Sequence, residues 1–537
     1  MMKHSSWIAV ALAAIAMVVV VPAGTASAAI VQSGPMILQA SPQAETVVVT
    51  HGETYAMRKA AVLSLHQQLA DREVAGAAAR GLTVRIPAAD LERISGPVPA
   101  VGRLLVGSAL TVNMPVDLPG SARLQKRSAA GTFGALRTSP DGGFVWSALV
   151  SAPGASAVRL HFSGFDLPEG AALYVFGADG QAAGPYTGRG PVGDSQLYTS
   201  AIFGDQVHVQ LVQKGVATRQ PGALMLESVG YMGPRFLKAL ITADGESPAS
   251  SGLATRSFCS YNETCVENAA CTNSSAVNAA RQAVASILFQ SGAYYYICTG
   301  GLIADTIGSQ TPYFLTANHC INKGSEASSL ETYFDYITTC SNPDCTQPYN
   351  NTGDTVGSTI LSHSKTSDHS LLQLSSNPVT ADGTVAYLGW NSSPVAFNNG
   401  FNLYRISHPS GAPQAYSEHT VDANAGTCST LARGNFIYSH DTYGATEGGS
   451  SGSPVVDSTG KIVGQLYGAC GTNVNNVCDA NSNSTVDGAF AVTYPSVSQW
   501  LNPGGGNNCS PSGASCSSNG DCCSGHCTGK RGSKTCS

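Results

Sequence analysis

The sequence predicts an all-β protein, and three observations carry that reading. Short runs of alternating apolar and polar residues recur along the chain between Gly and Pro, as in "FVWSALVSAPGASAVRLHFSGFDLPEGAALYVFG". Charged residues are only 12% of the chain, against about 25% in ordinary soluble proteins, and 59 glycines serve the turns. All 16 cysteines lie from Cys259 onward, so the second half is stapled and the first is not. The 537 residues suggest three to four units of about 150 residues each. A net charge of -6 without a basic stripe argues against a nucleic-acid partner, and 43% hydrophobic content excludes global disorder.

Taken in order, Lys3, the apolar run from Trp7 to Val21 and the small residues Ala26, Ser27 and Ala28 predict a signal peptide over 1–28. The run is shorter than the roughly 20 residues of a membrane span, so an exported, extracellular product free of the membrane is expected; a retained N-terminal anchor is the alternative. Residues 29–128 are rich in Ala, Val and Pro, with a helix expected from Met57 to Arg72. Residues 129–241 read as a β-sandwich, and 242–256 as an exposed linker ending at Arg256. From 257 to 502 strands resume: "AVASILFQ" and "AYYYICTGGLIA" flank a Ser291-Gly292 turn, and "TPYFLTANHC" runs into a loop. An amphipathic segment around Ser496 to Leu501 follows. A Gly-rich connector, 503–508, leads to a tail, 509–537, that holds six Cys.

Amide hydrolysis needs a nucleophile, a base, a group that orients the base, and donors for the oxyanion. "TEGGSSGSPVV" places Ser451 in a turn permissive enough for the amides of Gly449 and Ser451 to converge on one negative charge. His319 ends an apolar strand beside Cys320, and Asp368 precedes the apolar run "HSLLQL". Each alone reads as an ordinary loop residue; together they form a nucleophilic set.

"ICTGGLI", "YFLTANHC", "SDHSLLQL", "RISHPSG", "EGGSSGSPV" and "VGQLYG", in that order, resemble the lysyl endopeptidase branch of the chymotrypsin-like serine proteases. The resemblance implies a double β-barrel, with Ser451 as nucleophile, His319 as general base and acid, and Asp368 orienting His319. The stretch 129–241 is similar to the sandwich in propeptides of secreted bacterial proteases, which implies a zymogen cut after Arg256 and a prosegment that assists folding and then inhibits. Protein or peptide substrates, a monomer and no cofactor are expected. Ser450 stands where trypsins carry an Asp, so activation is expected to follow loss of the prosegment rather than burial of a new amine. The specificity pocket is expected around Ala445, Tyr467, Gly468, Thr485 and Asp487. Ala445 and Thr485 occupy the places where trypsins and lysyl endopeptidases keep their acidic residue. Lys or Arg at P1 then requires Asp487 as counter-charge, and an apolar P1 is the alternative.

The resemblance also implies bridges Cys298–Cys320, Cys265–Cys340, and Cys259 with Cys470 or Cys478, leaving Cys271, Cys345 and Cys428 open. No spacing of Cys and His suggests zinc. The tail resembles cystine-knot miniproteins, which implies Cys509–Cys523, Cys516–Cys527 and Cys522–Cys536; Lys530, Arg531 and Lys534 suit a tether to an anionic surface or polymer, or else the tail is a protease-resistant cap. A non-catalytic secreted binding protein with a degenerate protease fold is the competing class.

Overall fold

Six strands of the second half close on themselves. In order around the ring these are Ile462–Gly471, Pro454–Val456, Asn402–Ser407, Ala415–Val421, Phe436–Tyr443 and Asn483–Ala489, and the last pairs back with the first. The first barrel is built from Tyr294–Leu302, Val284–Ser291, Glu331–Phe334, Gly353–Val356, Ser358–Ser364, His369–Leu374 and Tyr313–Ala317. Its ring turns at Gly357, whose φ of 87° joins two strands end to end. The expected double β-barrel is therefore present. Several barrel strands, such as Glu331–Phe334 and Pro454–Val456, are buried on both faces, and the first barrel's core gathers Ile287, Phe314, Leu371 and Trp390. The hairpin expected around Gly292 forms, with Ser291 opposite Tyr294 across the turn.

The structure is a computed structural model that describes residues 41–97, 99, 101–119, 133–236, 258–341, 343–345, 353–380 and 382–503, with 515–516, 527–529 and 534–536 of the tail. The expected signal peptide, the linker 242–256 with Arg256, and Cys509, Cys522, Cys523, Lys530 and Arg531 lie outside the described residues. The described residues all belong to one unit, 41–537.

Residues 133–236 form a sandwich. One layer is a six-stranded sheet containing Phe144–Ser151, Gln206–Gln213 and Ala171–Phe176. The other contains Ala157–Ser163 and Met225–Met232, and Trp146, Phe162, Leu211 and Val229 fill the space between. The expected helix runs Tyr55–Asp71, opened by Thr54, whose Oγ1 accepts from the Met57 amide at 3.5 Å. The amphipathic segment near the C-terminal end of the second barrel is the helix Phe490–Leu501.

Composition did not announce the strand Leu104–Pro115. It pairs with Met225–Met232 on one side and Tyr294–Leu302 on the other, so sandwich and first barrel share one continuous twelve-stranded sheet. Its partners lie more than a hundred residues away, where no local pattern reveals them. Gln43–Ala44 and Val47–Thr50 likewise add to Trp390–Asn391 and Thr384–Tyr387.

Five disulfides staple the barrels: Cys259–Cys345, Cys265–Cys478, Cys271–Cys340, Cys298–Cys320 and Cys428–Cys470. This corrects two expectations. Cys265 is not joined to Cys340, and Cys259 bonds neither Cys470 nor Cys478. Phe258, Cys259 and Val266 pack with Ala412, Ala415 and Cys345, which turns Cys259 toward the loop after the first barrel's third strand. In the tail, Cys516–Cys527 is present.

Two buried imidazoles make stability depend on pH. Burial, then the neighbouring His363, pushes His369 down to about 4; burial pushes His408 down to about 4 against the Ala412 carbonyl, which favours its charged form. Both folded-state values lie below the unfolded one, so the unfolded chain binds more protons. Their contribution is complete above roughly pH 6.5 and lost as pH falls toward 4, at about 1.4 kcal/mol per unit for each. The urea midpoint is expected to fall from pH 7 to 5, with a shallower slope in His408→Gln; an unchanged slope rejects the assignment for His408.

Candidate active site

His319 sits just past the strand Tyr313–Ala317 of the first barrel, and Asp368 just before His369–Leu374, its antiparallel partner. That register brings the two side by side. His319 Nδ1 lies 2.7 Å from Asp368 Oδ2, and the His319 amide donates to Asp368 Oδ1 at 2.9 Å. Both carboxylate oxygens are thus engaged, and the imidazole is held by ring and backbone together. Its Nε2 has no hydrogen-bond partner among the described residues. Asp368 adopts φ 50°, a left-handed conformation that Asp tolerates better than most residues. Its carbonyl accepts from the Asn318 amide at 2.8 Å and from Gln465 Nε2 at 3.2 Å. Gln465 reaches across from the second barrel and also donates to the Ser367 carbonyl at 2.6 Å.

The second barrel contributes Ser451 from the turn before Pro454–Val456. The Ser451 carbonyl accepts from the Thr299 amide at 2.8 Å and lies 3.8 Å from Cys320 Sγ, next in sequence to His319. The Cys298–Cys320 bridge therefore clamps the His319 loop against the Ser451 turn. Gly449 has φ 98°, its amide donates to the Gly102 carbonyl at 3.0 Å, and Thr299 Oγ1 donates to its carbonyl at 2.8 Å. Gly452, at φ 84°, leaves no room for a Cβ: Thr316 Oγ1 and the Thr299 carbonyl occupy that space.

A cleft of 480 Å³ opens at the junction of the barrels, lined by Arg103, His319, Asp368, Leu431, Phe436 and Tyr467. Tyr467 meets the His319 ring edge to face at 5.5 Å. Burial and then the Asp368 carboxylate push its phenol up, so it stays neutral. A larger hollow of 590 Å³, with Arg58, Tyr186 and Thr355 in its wall, has neither His319 nor Asp368 in its lining. Cys298, His319 and Cys320 place their ligand atoms within 4.8 Å of one another, but both sulfurs are spent in the disulfide and offer no thiolate.

The pocket residues divide. Ala445 is buried, Tyr467 borders the cleft, and Gly468 lies against Val101. Asp487 is not free to meet a substrate: its Oδ1 lies 2.6 Å from Arg405 Nη2, and both side chains are 0% exposed. The expectation that Asp487 serves as counter-charge is thereby corrected. Two residues along the strand keep its face, but that face points into the barrel, where Arg405 stands. Thr485 does line up with a carboxylate. Its Oγ1 donates to Asp441 Oδ1 at 2.6 Å, which His419 Nδ1 also approaches at 2.7 Å. Burial pushes Asp441 up, but the His419 charge and the hydrogen bonds from His419 and Thr485 outweigh it, holding its carboxyl below the ordinary range.

Sequence reading missed Asp441, Glu447 and Gly102. Glu447, in the Ser451 turn, accepts from Asn262 Nδ2 and from the Glu263 amide, each at 2.7 Å. A carboxylate in the Ser451 turn is thus held by the start of the barrel region, where trypsins use a free amine. The acidic residue in "TEGGSSG" was visible, but its partner was not. Gly102 places its carbonyl 3.0 Å from the Gly449 amide.

The family model for the lysyl endopeptidase C-terminal domain matches residues 259–485. Lysyl endopeptidase of Pseudomonas aeruginosa is 30% identical over 386 residues, 68% of this chain and 76% of that protein. The secreted RxLR effector protein 73 of Plasmopara viticola is 30% identical over 196 residues, 36% of this chain and 46% of that one. Among solved structures, the HtrA-type protease AlgW with a tripeptide aligns at TM-score 0.29 and 14% identity, over 42% of this chain and 62% of that one.

Proposed function

The chain belongs to the lysyl endopeptidase family and is a serine endopeptidase; from that premise we propose that Ser451, His319 and Asp368 are its catalytic triad and that it is secreted as a preproprotein. Ser451 attacks the scissile carbonyl. His319 takes the hydroxyl proton at Nε2 and returns it to the leaving amine, and Asp368 holds the imidazole with its Nδ1 protonated. The Gly449 and Ser451 amides receive the oxyanion, and water then hydrolyses the acyl-enzyme. The observation that carries this reading is the doubly bonded His319–Asp368 pair, whose Nε2 is left unpartnered in the cleft beside the Ser451 turn. The even disulfide set supports an oxidising compartment. The prosegment is 29–256, cut after Arg256, and the basic tail tethers the enzyme or caps it. A fluorophosphonate probe is expected to label Ser451 once the prosegment is gone; absence of labelling in enzyme that has lost the prosegment rejects the triad and favours the non-catalytic binding class.

For substrate choice, the family and Asp441 support Lys or Arg at P1. Asp441 is ionised, part-exposed and joined to Thr485, which occupies the family's register for the acidic residue. Removing one partner of a charged hydrogen bond costs about 1.5 to 3 kcal/mol, so Asp441→Asn is expected to lower kcat/KM for Lys and Arg by about 10- to 100-fold while apolar P1 residues change little. A wild-type preference for apolar P1 in a P1-scanning library supports the other reading, in which Ala445 floors an uncharged pocket.

A further inference from the structure

The N-terminal region meets the Ser451 turn through one short stretch, whose Arg103 borders the cleft. Gly102 presents its carbonyl to the Gly449 amide at 3.0 Å, the place assigned above to the oxyanion. A Cβ on Gly448 would collide with the Pro99 carbonyl, and one on Gly468 would stand 3.2 Å from Val101 Cβ. The same stretch therefore lies against the Ser451 turn and against Gly468 of the second barrel, and at Gly448 only a glycine permits so close an approach. Just beyond, the Arg103 guanidinium covers the Tyr296 ring at 4.1 Å and borders the cleft beside His319.

We propose that Pro99, Val101 and Gly102 form a substrate-mimicking strap, and that its release, rather than the cut after Arg256, starts turnover. This rests on the serine-protease and prosegment readings above. It deepens them by naming the inhibitory residues and by splitting activation into two events.

The strap's anchors do not depend on the junction between 236 and 258. Before it, Asp90 in the helix Ala88–Ser95 accepts from Tyr294 Oη at 3.1 Å. After it, Leu104 and Leu105 are paired with Ile297 and Tyr296 in the shared sheet. Farther off, buried Arg159 donates to the Ser329 carbonyl at 2.7 Å and lies 3.4 Å from Glu331. A cut at the junction leaves all of these in place, so the severed prosegment stays bound with its carbonyl on the Gly449 amide.

Gly102 also explains why the strap persists as an inhibitor. Its φ is 92°, far from the extended backbone of a bound substrate, so the carbonyl fills the oxyanion position while the chain bends away from a productive path. Nothing lies within 4 Å of where a Cβ on Gly102 would stand. A β-carbon at this position meets no atom, so Gly102→Val acts chiefly by driving the backbone out of the left-handed region.

The test uses the full chain, wild type and Gly102→Val, each cut at the junction and purified as the bound complex. Fluorophosphonate labelling and peptide hydrolysis are read at once. Wild-type complex is expected to react at least about 10-fold more slowly than Gly102→Val complex, with thermal midpoints within a few degrees of each other. Equal rates in the two, or full activity of the wild-type complex while the prosegment is still bound, overturn the proposal. The same samples are then treated with an unrelated metalloprotease until the prosegment is degraded. Labelling that appears only then in both chains means that another part of the prosegment inhibits, and the strap is rejected. Labelling that never appears rejects the serine-protease assignment of Ser451 instead.

Discussion

Alanine at Ser451 is expected to lower kcat by about 10⁴- to 10⁶-fold, leaving the slow background that oxyanion donors and binding supply without a nucleophile. Nothing else about the site should change. The contacts that position this turn do not use the Ser451 hydroxyl: the Thr299 amide donates to the Ser451 carbonyl, the Gly452 amide donates to the Leu466 carbonyl, and the Glu447 carboxylate accepts from Asn262 and Glu263. Removing one hydroxyl from a buried serine leaves all of them, so the thermal midpoint should stay within about 2 °C. His319→Ala is expected to cost nearly as much, and the double variant little more than either, because nucleophile and base act as a unit. Retained hydrolysis by the purified alanine variant, with contamination excluded by its failure to take the fluorophosphonate probe, moves the nucleophile elsewhere.

Ser451, His319 and Asp368, the proposed triad, could be singled out in the sequence because each sits in a local signature: a Gly-flanked Ser, a His before Cys at a strand end, an Asp opening an apolar strand. The two barrels were legible for the same reason, since period-two patterning is local. What escaped was set by pairing across the chain. Cys259 meets Cys345 because an apolar patch around Phe258 and Ala412 turns it there, and no spacing encodes that patch. Leu104–Pro115 looked like part of a featureless Ala- and Val-rich stretch, yet it is the strand that joins sandwich to barrel. Gly102 carried no signal at all, because its role comes from where two distant anchors hold it. Asp487 was misjudged for a related reason. Strand alternation gives the face on which a side chain stands, but not what occupies the space opposite.

That space holds Arg405, and the consequence is a large effect on stability with none on substrate choice. Arg405 and Asp487 are both 0% exposed, joined at 2.6 Å, and Arg405 Nη1 also donates to the Ser453 carbonyl at 3.2 Å. Asp487→Asn keeps the shape and removes the charge, leaving a guanidinium buried without its partner. Breaking a buried pair from one side costs about 3 to 5 kcal/mol, which in a domain of this size lowers the melting temperature by about 10 °C. Replacing both members with leucine should recover most of the loss, since the desolvation of two charges disappears with their attraction. Because Ser453 is two residues past Ser451, the proposed nucleophile, kcat of Asp487→Asn is expected to fall somewhat for every substrate. The ratio of kcat/KM for Lys against Leu at P1, measured well below the melting temperature, should stay within about twofold of wild type. A collapse of that ratio with unchanged stability would return Asp487 to the pocket and remove Asp441 from it; a loss of stability at constant ratio leaves Asp487 as part of the barrel's interior and the choice of substrate to the residues around Thr485.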